Sequence, residues 1–501
     1  MSEQPPTAAK DCSNCQRRRL KCDRVRPACR KCGKRCLKCP GYGVQLKWDQ
    51  GVASRGNLMG RSLPMKNSSL VSKSPGHNDP RIKSHSHLLD PTSNLRWLQP
   101  PPHSPHAPRL LAWFTDRVAR RLAWVDGPQN PWRRIVLPLS ETCDAVRSSV
   151  FALAATDLSL QYPKNDPWCQ KFKDLSQSHH RHALSLLVSE LKRLSALPPS
   201  ETCPAASLFP TLASVMIICN NDLLNTETSE WRMHLTVARE ILNVAKTHPG
   251  IEQSLSHMQR FFLQEYYATS VWMNLTNFKP VDKIVMKPPT SNEDAALSGF
   301  VHIIHRITQL ERLKRAGEQS LDSDRTATSS HCQAQGIYTE IESARADSLQ
   351  ITNNINFWSD VDRRNFALVV RMYYHATLIY TAQALLSNAS DSDASADAKI
   401  TYSHTHIMHD LKELTKLRTG LHFAQDLVWP LFIAGTEVRS DRAAQEMIEH
   451  SFKAVMHVSR TLDRARVLSF LRSWWEFDGD GLGSWIEFAR IRSENYNFII
   501  V

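Results

Sequence analysis

The sequence predicts a small cysteine-organised domain, a disordered linker and a large all-α domain, in that order. Three observations carry this. Seven of the twelve cysteines fall between Cys12 and Cys39. The stretch 49–108 is rich in Ser, Pro, Gly and His and lacks sustained apolar periodicity, so it cannot bury enough surface to offset its ordering entropy. From 109 to 501 apolar residues recur at helical spacing and no βαβ alternation appears. The expected domains are therefore 8–48, 49–108 and 109–501.

Charge separates the regions further. The chain carries a net +13, yet between Lys10 and Gln50 thirteen Lys and Arg stand against three Asp. From Gly51 onward the excess of basic over acidic residues is only 4. A dense basic segment beside an almost neutral remainder is the footprint of a polyanion binder. The amino terminus has no apolar run of the kind that directs export, and no stretch approaches a membrane span, which predicts an intracellular protein without a membrane partner. Crowded cysteines in a reducing compartment indicate metal binding rather than disulfides. Cys143, Cys169, Cys203, Cys219 and Cys332 are scattered and read as small buried hydrophobes.

The cysteine spacing is Cys12-x2-Cys15-x6-Cys22-x6-Cys29-x2-Cys32-x6-Cys39. It is an internal repeat with an offset of seventeen residues: Cys12, Cys15 and Cys22 map onto Cys29, Cys32 and Cys39, and Leu20-Lys21-Cys22 recurs as Leu37-Lys38-Cys39. A structural Zn2+ takes about four ligands and binds thiolate well. Six cysteines satisfy two zincs per chain when two of them bridge, and the repeat assigns the bridges to Cys12 and Cys29, the first cysteine of each half. Cys36 aligns with Arg19, a non-ligand position, and is left outside. A single four-cysteine zinc would leave thiols unexplained. An iron–sulfur cluster fits the twofold repeat and the basic density poorly, and a disulfide knot would require export.

Residues Cys12–Cys39 resemble the fungal binuclear zinc-cluster DNA-binding domain, including the proline of Arg26-Pro27-Ala28-Cys29 between the halves. The resemblance implies two short helices around two zincs, the first of which enters the major groove and reads a CGG-type triplet. Gln16-Arg17-Arg18-Arg19-Leu20-Lys21 would lie on it. Arginine can donate two hydrogen bonds to guanine, and successive helical positions diverge by about 100°, so the arginines cannot all face the bases. The family's base-reading positions fall on Arg18 and Arg19. Arg17 and Lys21 would lie nearer the phosphates, where contacts add affinity without sequence information. Arg19 stands where the family usually has Lys.

In the helical region Arg109–Val125 places Leu110, Trp113, Phe114, Val118, Leu122 and Val125 on one stripe, and Ala145–Leu160, His182–Leu194, Trp231–Ala245, Phe366–Leu386 and Ala443–Leu462 are similar. Pro198-Pro199 and His248-Pro249-Gly250 punctuate it, and Ser387–Asp397 reads as a loop. Asp391 and Asp393 make a poor calcium loop, lacking the required Gly and closing Glu. Asn130-Pro131-Trp132-Arg133 with Leu137-Pro138-Leu139, Trp231-Arg232-Met233-His234-Leu235 and Val428-Trp429-Pro430-Leu431-Phe432-Ile433-Ala434-Gly435 resemble the fungal-specific transcription factor domain of the second type. So does Cys39-Pro40-Gly41-Tyr42-Gly43-Val44 with Leu46-Lys47-Trp48. The resemblance implies a regulatory domain open to a small-molecule effector or a protein partner.

No phosphate loop, H-E-x-x-H pair or G-x-S-x-G elbow appears, so an enzyme is not expected. His404, His406 and His409 with Asp410, and the cluster His179, His180 and His182, read as surface or capping groups. The expectation is a nuclear, sequence-specific regulator of RNA polymerase II transcription that binds double-stranded DNA. The alternative is a zinc-dependent architectural nucleic-acid binder with a helical interaction domain. Gly41, Gly43, Gly51, Gly56 and Gly60 disfavour a helix directly after the cluster at about 1 kcal/mol each. Any homodimer contact is therefore expected to come from the helical region or from pairing on DNA.

Overall fold

The computed structural model describes residues 11–12, 14–15, 18, 20–25, 28–35 and 39 of the amino-terminal part. Of the rest it describes 105–196, 205–224, 230–246, 255–276, 278, 297–318, 323–386, 394–416, 420–460, 464–477, 484–492 and 500. The linker up to 104, the tail Pro40–Trp48, Pro198-Pro199, His248-Pro249-Gly250, Cys203, and Asp391 and Asp393 lie outside them. The chain divides into two compact units, Met1–Leu88 and Leu89–Val501.

The first unit contains α1 (Arg30–Gly33). All regular structure described in the second is helical, and among the described residues no helix is long and apolar enough to cross a membrane. It begins with α2 (Ala107–Trp113), which runs through a wider π-type turn (Phe114–Val118) into α3 (Ala119–Leu122). The stripe expected over Arg109–Val125 buries Leu110, Phe114 and Val118, but the helix stops at Leu122 because Ala123 turns extended.

A π segment (Trp132–Val136) follows and continues into α4 (Leu137–Thr142). Then come α5 (Asp144–Ser159), α6 (Pro167–Ala196), α7 (Ala205–Leu223), α8 (Trp231–Lys246), α9 (His257–Thr276), α10 (Ser298–Glu318), α11 (Ser323–Asn354), α12 (Asp360–Leu385) and α13 (Ala394–Lys416). A 3-10 segment (Gly420–Leu427) leads to α14 (Val428–Thr436), α15 (Arg442–Ser459), α16 (Arg464–Trp475) and α17 (Trp485–Ile491). Of the loop expected over Ser387–Asp397, residues 394–397 belong to α13, and 387–393 lie outside the described residues.

Caps set several of these ends. Ser359 Oγ accepts from Asp362 N at 3.1 Å to start α12, and Asp441 Oδ1 accepts from Ala444 N at 3.0 Å to start α15. The α15 helix ends where Arg460 takes the left-handed conformation (φ 63). Helix α5 packs on α6 and α7, α12 packs on α10, α11 and α13, and α14 lies against α12, α15 and α16.

Every residue of α14 is buried. A helix apolar all round has no face for water and becomes the centre of a core. Gly435 lets it approach α16: a Cβ there would stand 2.8 Å from Leu471 Cδ1. Trp132, Trp231 and Trp429, which carry the helical-domain motifs, are all fully buried. Cys169 and Cys219 are buried as expected, whereas Cys332 is exposed on α11 and Cys143 only half-buried. Spacing gives no indication of which face of a helix a lone cysteine takes.

Candidate metal centre

In the first unit the buried core among the described residues is made of sulfur. Cys12, Cys15, Cys22, Cys29 and Cys32 are buried together and Cys39 packs against them. The local chain follows from their spacing. Two intervening residues make one helical turn, and the backbone shows it in both halves. Arg18 N donates to Asn14 O at 3.3 Å, and Gly33 N donates to Cys29 O at 3.3 Å. Cys29 caps α1, its Sγ accepting from Cys32 N at 3.3 Å, while Cys29 N donates to Cys39 Sγ at 3.4 Å.

The sulfur geometry tests whether zinc fits. The Sγ of Cys12 lies 3.6 Å from that of Cys29 and 3.8 Å from that of Cys32, and Cys15 Sγ lies 3.7 Å from Cys29 Sγ. A tetrahedron with Zn–S bonds of about 2.3 Å has edges of about 3.8 Å. The four sulfurs of Cys12, Cys15, Cys29 and Cys32 are all within 4.8 Å of one another, and Cys22 and Asp23 form a further group with Cys29. Cys12 and Cys29, one from each half, are in close contact.

Electrostatics points the same way. Burial pushes the Cys12 thiol up to about 12 and raises Cys15 and Cys29 as well. Packed sulfurs so shielded do not ionise together unless a cation takes up their charge, and metal binding is the usual way to supply one.

Two carboxylates that the spacing did not single out hold the frame. Asp23 Oδ1 accepts from Arg30 N at 3.2 Å and Val25 N at 3.4 Å, tying the end of the first half to the start of α1. Asp11 accepts from Arg24 Nε at 2.6 Å, and that guanidinium holds the Asp11 carboxyl below its usual range. Arg24 itself has φ 59. Around the sulfurs, Arg18, Lys21, Arg24, Arg30, Lys31, Lys34 and Arg35 are exposed. Arg17, Arg19 and Cys36 lie outside the described residues.

The second unit corrects the reading of its histidines. His179 is buried with its ring edge-on to Phe151 at 5.3 Å, and His180 turns inward beside Asp222. They sit in the middle of the 30-residue α6, whose inner face the sequence window His182–Leu194 only partly covered. His409 is exposed, as expected, but His406 stacks on His375 at 4.7 Å and Asp410 is fully buried in an ion pair with Arg371.

Two cavities meet in this unit. One, of about 100 Å3, is lined by Trp124, Glu265, Trp272, Asp426, Trp429 and Arg464 among others. The other, of about 310 Å3, is lined by Trp124, Gly127, Asn130, Trp132, Gln264 and Glu265 among others. Trp124 and Glu265 belong to both. Burial raises the Glu265 carboxyl to about 8, and raises Asp426 despite the opposing Arg464. Asn130 shapes the second wall. It donates to Ala119 O at 2.9 Å and accepts from Trp132 N at 2.9 Å, starting the π segment.

Comparison with known proteins completes the assignment. The family described as fungal-specific transcription factor domain matches residues 109–280 and 296–499. The acriflavine sensitivity control protein acr-2 of Neurospora crassa is 47% identical over 45 residues, which cover 9% of this chain and 8% of that protein. No solved structure matches the chain. With a family match over most of its length and a cysteine cluster whose geometry suits zinc, the chain belongs to the fungal zinc-cluster transcription factors that carry the fungal-specific transcription factor domain.

Proposed function

We propose that this protein is a nuclear, sequence-specific regulator of RNA polymerase II transcription that reads CGG-type triplets, and that it is not an enzyme. The observation that carries the reading is the sulfur cluster beneath a shell of exposed Arg and Lys. Cys12, Cys15, Cys22, Cys29, Cys32 and Cys39 would hold two zincs, with Cys12 and Cys29 shared between them. Bound zinc supplies the charge that keeps the sulfurs ionised and the two halves closed. Arg18 and Arg19 would read bases, with Arg17 and Lys21 on phosphates. The module would span 8–48 and the regulatory domain 109–501, joined by a linker over 49–108. A homodimer would form through the helical region or on DNA. A pathway-specific role in metabolism, nitrogen use, secondary metabolism or drug resistance is the expected setting.

Binding of the full chain to duplexes tests this. Arg18→Ala and Arg19→Ala are expected to cost roughly 1–3 kcal/mol on the cognate site and to relax specificity there. Arg17→Ala and Lys21→Ala should weaken cognate and scrambled DNA about equally. Identical behaviour of all four would overturn the division of labour. A preference for cognate over scrambled duplex well below about 10³ would favour the architectural reading instead.

The effector reading has its own support in the paired cavities. Glu265 lines both, and aromatic walls around a half-buried acid suit a small organic cation, whose binding would release the Glu265 proton. Thermal shift with a panel of small amines and small carboxylic acids tests it. Amines alone should stabilise the chain, and Glu265→Gln should remove that response. Equal shifts from both classes would refute it.

A further inference from the structure

His180, Asp222 and His234 come from three different helices and meet at one point. His180 lies mid-way along α6, Asp222 in the last turn of α7, and His234 in the first turn of α8. His234 Nε2 lies 2.9 Å from Asp222 Oδ2, and His180 Nε2 lies 3.7 Å from Asp222 Oδ1. One ligand atom from each residue falls within 4.8 Å of the other two. Asp222 and His234 are buried, and the His180 side chain is only 18% exposed.

A plain hydrogen bond accounts for two of the three. His234 donating to Asp222 satisfies that carboxylate oxygen, and Asn221 Nδ2 reaches the other at 3.3 Å. It leaves His180 unexplained. Its Nε2 is shut off from solvent, points at a carboxylate, and has no hydrogen-bond partner. Burying an imidazole nitrogen without a partner costs free energy. A cation between the three donors would engage all of them. Two imidazoles and a carboxylate suit zinc and its neighbours, and three protein ligands leave a position for water. Asn221 would then orient the carboxylate, as outer-shell groups commonly do.

We propose that His180, Asp222 and His234 form a second metal site, separate from the cysteine cluster, that takes a divalent transition ion of the zinc type. The ion pins α6, α7 and α8 together, so that its occupancy sets how tightly these helices are held in the regulatory domain.

The test uses the full chain with Cys12→Ser, Cys15→Ser, Cys22→Ser, Cys29→Ser, Cys32→Ser and Cys39→Ser, which removes the thiolate cluster from the count, and its derivative with His180→Ala. Zn2+ added after chelator treatment should raise the thermal midpoint of the first by several degrees and leave the derivative unchanged. Metal analysis should find one zinc per chain in the first and none in the derivative. Far-UV circular dichroism confirms that both remain helical, and His180→Asn in place of alanine provides a second variant should the alanine chain lose helicity. Co2+ bound by the first should show weak visible bands without the strong near-ultraviolet charge transfer that thiolates give. Equal zinc content and equal shifts in the two chains would overturn the site. The stoichiometry of the cysteine cluster is read in the chain carrying His180→Ala alone, where a count of two does not depend on the second site.

Discussion

Cys12 and Trp485 are almost equally shielded, 0% and 1% exposed, but by different neighbours. Around Trp485 stand Phe432 at 4.9 Å and Phe470 at 6.3 Å, with Gln383 Oε1 accepting from its Nε1 at 2.8 Å. Around Cys12 stand other sulfurs. The helical unit is held by apolar area removed from water, a term that accumulates over many side chains. The amino-terminal unit has no comparable apolar area among its described residues. Its core is a set of ligand atoms that gains stability only when something binds them. One unit is thus stable on its own terms, while the other depends on an external partner.

The largest expected effect tests that contrast directly. Cys12→Ser with Cys29→Ser, or strong chelation, should abolish cognate DNA binding by 100-fold or more, while the helical unit keeps its far-UV signal. A concerted loss of helicity would show that the two units do not fold separately. Next, Trp485→Ala should cost roughly 3–5 kcal/mol of helical-unit stability through the cavity it leaves. DNA affinity measured at a temperature where the unit stays folded should not change; a parallel loss would again break the separation.

Two smaller effects concern charge within the helical core and run in opposite directions with pH. Glu265 is raised to about 8, so the stability it provides is present below the unfolded carboxyl range and is lost as pH rises toward 8. Glu265→Gln should therefore match the parent near pH 4.5 and exceed it at pH 8 by about 2 kcal/mol, allowing for water in the cavity. His375 is lowered to about 4 by burial, so its contribution is present above about 6.5 and lost as pH falls to 4. Replacing His375 with Phe should reduce acid destabilisation by about 1–2 kcal/mol between those limits. Chemical denaturation as a function of pH reads both. Flat difference curves would mean that the core admits more water than its packing suggests.

Much of this was legible from spacing. The seventeen-residue repeat led to the paired cysteine halves, and helical periodicity led to α5, α8, α12 and α15 within a few residues. Both are local signals. What escaped is what depends on tertiary neighbours. Asp222 and His234 are twelve residues apart and His180 lies forty-two before Asp222, so no window in the sequence joins them. Glu265 reads as an ordinary polar position on a helix, and only packing on several sides turns it into a half-buried acid that holds its proton. The end of α3 at Leu122 was equally hidden, because the apolar stripe continues to Val125 while the backbone turns away.

Gly127 carries a consequence for genetics. A Cβ at this position would collide with the carbonyl oxygen of Asn356, and both residues line the larger cavity. The wall there is two backbone segments in direct contact, more than two hundred residues apart along the chain. Any side chain at 127 must push them apart and disturb that wall. Screens for loss of regulatory function should therefore recover substitutions at Gly127 well ahead of substitutions at Gly336, where a Cβ meets nothing within 4 Å.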